Sequence, residues 1–113
     1  MSIPVPLDDL GATLSAYPWG YLVTVTEAMR AHSLAVPTVW RDGALHMSAG
    51  RGTRANIVAR PGVTMVFPHP APGEHSLIVD GTASVVDESV VFAPATAVLH
   101  RPALPEGPDR EAG

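Results

Sequence analysis

The chain has 113 residues, 46% hydrophobic and 16% charged, with a formal net charge of −4. That is the length of one domain, with more apolar surface than so small a monomer easily hides. It has no cysteine and no lysine, so disulfides, thiolate metal sites, thiol nucleophiles, Schiff-base chemistry and a Walker-type phosphate lysine are excluded, and any strong phosphate site falls to its 7 arginines.

The acidic balance argues against a general binder of nucleic acid. No stretch approaches the roughly 20 apolar residues of a membrane span. Asp8 and Asp9 stand where a secretory leader would be basic, so the chain reads as soluble and cytoplasmic.

In chain order, Leu7, Leu10 and Leu14 fall at helical spacing with Asp8 and Asp9 in the first turn, where the helix dipole favours acids. This predicts a short amphipathic helix that stops near Tyr17-Pro18. Gly20 to Thr26 is rich in β-branched and aromatic residues and reads as a strand. Ala31 to Trp40 leads into Arg41-Asp42-Gly43, an Asp-Gly turn that joins it to a returning strand, Ala44 to Ser48. A tight turn at Ala49 to Gly52 precedes a short helix from Thr53 to Arg60, with Gly52 or Thr53 at its start and Pro61-Gly62 just past its end. Val63 to Phe67 and Ser76 to Val86 read as strands on either side of a proline-rich loop, Pro68 to Glu74. Val90 to Leu99, punctuated by Pro94, fits a strand or a short helix, and periodicity does not choose between them. The 12 prolines and 10 glycines are spread between short apolar runs, which favours β structure. Residues 1–101 are expected to form one domain and 102–113 a disordered tail.

The block Asp42-Gly43-Ala44-Leu45-His46-Met47-Ser48-Ala49-Gly50-Arg51-Gly52-Thr53-Arg54-Ala55-Asn56-Ile57, followed by Arg60-Pro61-Gly62-Val63-Thr64, resembles the pyridoxamine 5'-phosphate oxidase-like family. The shared pattern is a strand ending in a hydroxyl residue, a short turn, a basic helix start, an Arg-Pro turn and the next strand. The likeness extends to Leu22–Thr26, His32–Pro37 and Val79–Ala83. It implies a mainly β fold with short helices, a Greek-key split β-barrel of about six antiparallel strands, working as a homodimer with FMN at the dimer interface. Cofactor contacts are implied for His32, Ser33, Pro37, Met47, Ser48, Arg51, Thr53, Arg54 and Asn56. His32 stands where an arginine often sits in the family, and Pro37 where a lysine often reaches the phosphate. With those two cations replaced, a deazaflavin coenzyme, which related split barrels use, is the alternative cofactor. The chain ends before the basic C-terminal segment with which true pyridoxamine-phosphate oxidases hold their substrate, so the vitamin reaction is not expected.

The residues support a phosphate site on their own chemistry. Arg51 and Arg54 flank a glycine turn at a helix start, where unpaired N–H groups and the dipole favour an anion, and Ser48 and Thr53 add hydroxyls. The alternative for both arginines is a solvated helix start. His69, Glu74 and His75 have the composition of a metal site without supporting residues around it, and a solvent-exposed loop is the expectation; no metal is assigned. His46, between Leu45 and Met47, should face opposite to both. His32 either lines the flavin ring or is a half-buried strand residue paired to backbone. Trp19 and Trp40 are expected to anchor the core or the dimer interface.

The functional expectation is an FMN-dependent oxidoreductase that moves hydride to or from an unidentified small molecule, in its concrete form a low-specificity reductase. No side chain is assigned as acid or base. The alternatives are a deazaflavin-dependent reductase, a non-catalytic module that carries or senses a flavin or another planar ligand, and a structural or regulatory dimer without a cofactor.

Overall fold

The computed structural model describes residues 2–103. The elements run β1 (Ser2–Pro4), α1 (Leu7–Leu14), β2 (Trp19–Val25), β3 (Ala31–Pro37), β4 (Val39–Arg41), β5 (Ala44–Ser48), α2 (Arg51–Ala59), β6 (Gly62–Phe67), β7 (Ser76–Val86) and β8 (Ser89–His100). All strands join one antiparallel sheet in the order β3-β2-β6-β7-β8-β5-β4, with β1 also on β8. The sheet curls until β3 and β5, distant in that order, come into contact. The result is a mainly β, split-barrel architecture whose open seam lies between those two strands.

Strand alternation divides the sheet into two faces. Leu34, Leu22, Met65, Val79 and Ala97 lie side by side in register across β3, β2, β6, β7 and β8. All but the half-buried Leu34 are buried, and Phe67, Leu77, Leu45, Phe92 and the α1 leucines Leu10 and Leu14 complete the core. Burying each large side chain of this kind contributes about 1.5–3 kcal/mol. The helix expected from Leu7 forms and ends at Leu14, about a turn before Tyr17-Pro18, and its apolar stripe explains why it docks. After it, Tyr17 turns inward and donates its hydroxyl to the His75 carbonyl at 2.8 Å, tying the start of β2 to the β6–β7 loop. Burial, with a smaller push from the negative charge of Glu74, raises the Tyr17 pKa above the usual phenol range, so the hydroxyl keeps its proton as donor.

The structure decides one open choice and departs from the sequence expectation at three points. Val90 to Leu99 lies within strand β8 despite Pro94, because the proline sits opposite Gly81 where the register shifts and Ala95 has no ladder partner. A bulge is where a strand tolerates a residue with no N–H to give. The segment Ala31 to Trp40 divides into β3 and β4 on either side of Thr38, and β1 is an added strand too short for alternation to reveal. Helix α2 begins at Arg51 rather than Thr53, with Gly50 in extended conformation as its N-cap. The expected tail from Pro102 lies, from residue 104 onward, outside the described residues. Among the described residues no helix is long and apolar enough to cross a membrane.

The β7–β8 bulge leaves no room at Gly81, where a Cβ would collide with the Ala93 carbonyl and press on the Phe92 ring. Gly81→Ala is therefore expected to cost about 2–3 kcal/mol, at the upper end for overpacking, measured as a lower urea midpoint with an unchanged m-value.

Candidate functional site

Helix α2 leaves the C-terminal end of β5 and packs against β7 and β2, with its start beside the open seam of the sheet. Its position is fixed by two hydrogen bonds to β2, far away in sequence. The Asn56 side-chain amide donates to the fully buried Thr24 hydroxyl at 3.1 Å, and Arg60 Nε donates to the Val25 carbonyl at 2.7 Å. Ile57, 1% exposed, joins the helix to the hydrophobic core. The start of the helix faces the seam. Its N-cap is Gly50, with no side-chain cap and no acid in the first turn, so its leading amides have no intrahelical acceptor. Added Cβ atoms at Gly50 and Gly52 would meet nothing within 4 Å, which leaves the approach to those amides open.

Two adjacent cavities meet at this helix start and share Leu34 and Gly50. The inner one, about 360 Å³, is lined by Thr26, His32, Leu34, Gly50, Gly52, Thr53 and Asn56. The outer one, about 480 Å³, runs along β3 from Leu34 to Pro37 and is closed opposite by Ser48, Ala49, Gly50, Arg54 and Glu88. Because β3 ends the sheet order, the outer cavity is flanked by an unpaired strand edge. Thr53 is 95% buried in the inner cavity, since it is 5% exposed, and its hydroxyl has no hydrogen-bond partner among the described residues. The hydroxyl itself is not sealed off, so it opens on the cavity with donor and acceptor capacity free for a ligand.

Of the residues expected at a cofactor, His32, Thr53 and Asn56 line the inner cavity, and Pro37, Ser48 and Arg54 the outer. Arg54 is half-buried and spends one N–H on the Ala49 carbonyl at 2.7 Å, so the guanidinium is braced against the turn it follows. Met47 is buried at 6% exposure on the inward face of β5, Ser33 pairs with Val23 on the outward face of β3, and Arg51 is exposed; none of these lines either cavity. Thr26, Leu34 and Glu88 line the cavities without having been expected. Leu34 was legible, since it shares its face of β3 with His32 by simple alternation. Glu88 was not, because only the pairing of β7 with β8 and of β8 with β5 brings their connecting turn to the seam.

The remaining candidates resolve differently. His46 lies opposite to Leu45 and Met47, half-buried, and shares hydrogen bonds with Arg41 on the adjoining strand. The His69 ring packs edge-on against Tyr17 at 5.5 Å between ring centroids, and its Nδ1 accepts the Ala71 N–H at 3.0 Å. His75 Nε2 is buried with no partner. Among the described residues no three metal-capable side chains converge, at His69, Glu74 and His75 or elsewhere. Trp40 packs on Gly11, where a Cβ would lie 2.5 Å from its indole nitrogen, whereas Trp19 stays 39% exposed on the outer face.

Comparison with solved structures gives the same architecture. A Clostridium acetobutylicum protein of the pyridoxinephosphate oxidase family, related to general stress protein 26, superposes with TM-score 0.67 at 10% identity, covering 84% of this chain and 87% of that one. The FAD binding protein of Mycobacterium smegmatis superposes with TM-score 0.66 at 19% identity (89% of this chain, 100% of that one), and an F420 reductase with TM-score 0.63 at 20% identity (75% and 93%). The fold is thus the pyridoxamine 5'-phosphate oxidase-like split barrel that the sequence resemblance implied. No family model matches the chain. Within that fold it belongs to one family with two uncharacterized proteins, from Mycobacterium bovis and Mycobacterium tuberculosis. Each is 36% identical to it over 96% of this chain and 89% of the relative.

The Asn56–Thr24 bond assigns Asn56 a part in holding α2 as well as a place in the cavity wall. Asn56→Ala leaves the buried Thr24 hydroxyl unpaired and is expected to cost about 1–3 kcal/mol. Adding Thr24→Val, which removes the orphaned group, should recover part of that loss in the same urea titration.

Proposed function

We propose that this protein is a dimeric, flavin-type oxidoreductase that binds FMN, or in the alternative a deazaflavin coenzyme, in the seam beside α2. It would pass hydride between that group and a small molecule, in the cytoplasm. The observation that carries this reading is the convergence of uncapped helix amides, Arg54 and the Thr53 hydroxyl, which opens on the cavity without a partner among the described residues. Such an arrangement is suited to an anionic, hydrogen-bonding group such as a phosphate. Ser48 and Arg54 would hold that group from the outer cavity, and Leu34 and His32 would lie against the ring from the inner one. Similarly folded proteins include one named as an FAD binding protein and one named as an F420 reductase.

A bound flavin supplies the hydride chemistry itself, and the protein's share is orientation and electrostatics. The cavity linings accord with that division, since His32, Arg54 and Glu88 are their only titratable side chains. The test is an absorption spectrum of the purified protein followed by titration with FMN and with the deazaflavin coenzyme. Saturable binding is expected for one of them, weakened about tenfold or more in Arg54→Ala, the loss of a charge-assisted hydrogen bond. A colourless protein that binds neither would overturn the reading and leave a dimer without a cofactor.

The dimer rests on the outer face of the sheet. Ala35, Tyr21, Val66, Ile78, Val98 and Pro4 stand side by side across β3, β2, β6, β7, β8 and β1. Trp19 lies edge-on to Tyr21 with ring centroids 5.2 Å apart. Ser33, Thr64, Asp80 and Thr96 border this band on one side, and Ser2, Ser76 and His100 on the other. An apolar centre with a polar rim is the anatomy of a protein interface. The chain is expected to sediment at twice its mass, and Tyr21→Glu, which sets a charge in the middle of the band, as a single copy.

A further inference from the structure

Glu88 is the charged group of the outer cavity that the proposed function leaves without a task. It sits in the β7–β8 turn, next to Asp87, whose φ of 56° gives that turn its tight reversal. It lines the cavity opposite the β3 edge together with Ser48 and Arg54. A site built only for the strongest hold on an anion would not carry a carboxylate. Arg54 and Glu88 are the only charged side chains in the lining, which is therefore formally neutral at pH 7.

The two charges differ in setting. Arg54 is half-buried and braced on the Ala49 carbonyl, whereas Glu88 is exposed. The first negative charge of a ligand is taken up by the guanidinium fork and the α2 amides at hydrogen-bond distance. A second negative charge finds no further cation in the cavity and is repelled by the carboxylate. A terminal phosphate monoester carries about 1.5 to 2 negative charges at pH 7, while a phosphate substituted on both sides, as a diester or within a pyrophosphate, carries one on each phosphorus. The cavity also continues along the β3 edge from Leu34 to Pro37, giving a second substituent a path past the phosphate.

We propose that Glu88 makes the groove selective for charge, so that it takes a flavin-type ligand through a phosphate substituted on both sides, with one charge per phosphorus, in preference to a terminal phosphate monoester. This rests on the cofactor reading above and narrows it to the ligand's linkage. Selectivity of this kind arises from subtracting affinity for the competitor as much as from adding it for the ligand.

The experiment compares riboflavin, FMN (a monoester) and FAD (a pyrophosphate whose phosphorus atoms, each in one ester and one anhydride link, carry one negative charge apiece) on the full chain. Binding is followed by quenching of isoalloxazine fluorescence for the wild type, Glu88→Gln and Arg54→Ala. Glu88→Gln keeps the shape and removes the charge at an exposed turn, and its melting temperature is measured alongside. The expected result is that Glu88→Gln tightens FMN by about threefold relative to FAD at low salt, the scale of a solvent-screened charge contact. Riboflavin should be unaffected, and the FMN gain should shrink at high salt. Arg54→Ala should weaken FMN and FAD alike. An FMN-to-FAD ratio that does not move in Glu88→Gln, with the wild type binding both, overturns the charge selection and leaves the cofactor reading standing. A wild type that binds none of the three, nor the deazaflavin coenzyme, overturns both.

Discussion

The close approach of Gly81 to the Ala93 carbonyl governs how the β7–β8 ribbon bends, and every other part of the sheet is hung on that ribbon. β7 carries β6, and through it β2 and β3; β8 carries β5 beside Ser89–Phe92 and β1 beside Val98–His100. A bulge sharpens the local twist and bends the strand that contains it. Here that bend brings β3 and β5 together across the seam. Pro94, which would interrupt a regular ladder, is accommodated at the same point, so the glycine and the proline are two halves of one device.

The seam then needs a border that is firm on one side and open on the other, and α2 supplies both. Asn56 and Arg60 fasten its second half to β2, while Gly50 and Gly52 leave its first turn bare. The fastened half makes the cavity walls rigid without occupying them. The bare half exposes amides that have no acceptor of their own. Arg54 stands between the two, held to the turn before it and facing the outer cavity, so that its charge is presented in a fixed place.

How much of this was legible depended on the range of the forces involved. Local signals served well: the stripe of Leu7, Leu10 and Leu14 gave α1, the Asp-Gly turn gave the reversal between β4 and β5, and β5 and β7 have the bounds expected of them. The start of α2 was harder, because Gly50 caps it through extended backbone and no side chain announces the boundary. For β8, Pro94 and the short run left helix and strand level, and only the pairing with β7 decides. The order and spacing of the block from Asp42 to Thr64 pointed to the fold as a whole. At the site, the residues around the helix start were readable because they are contiguous. Glu88 and Thr26 were not, because they reach the cavities through pairings between strands far apart in the chain. Met47 shows the converse: adjacent to Ser48 in sequence, it points to the other side of its strand by the same period of two.

The unpaired edge of β3 has a colloidal consequence. Along this seven-residue strand the N–H and C=O groups turned away from β2 are open, and only His32 is ionisable. Strand edges of that kind invite further strands, and proteins commonly blunt them with lysine, a residue this chain does not contain. Along Leu34 to Pro37 the edge is instead the wall of a cavity. Whatever fills that cavity also shields the edge, so ligand occupancy and resistance to edge-to-edge aggregation are coupled through the same four residues.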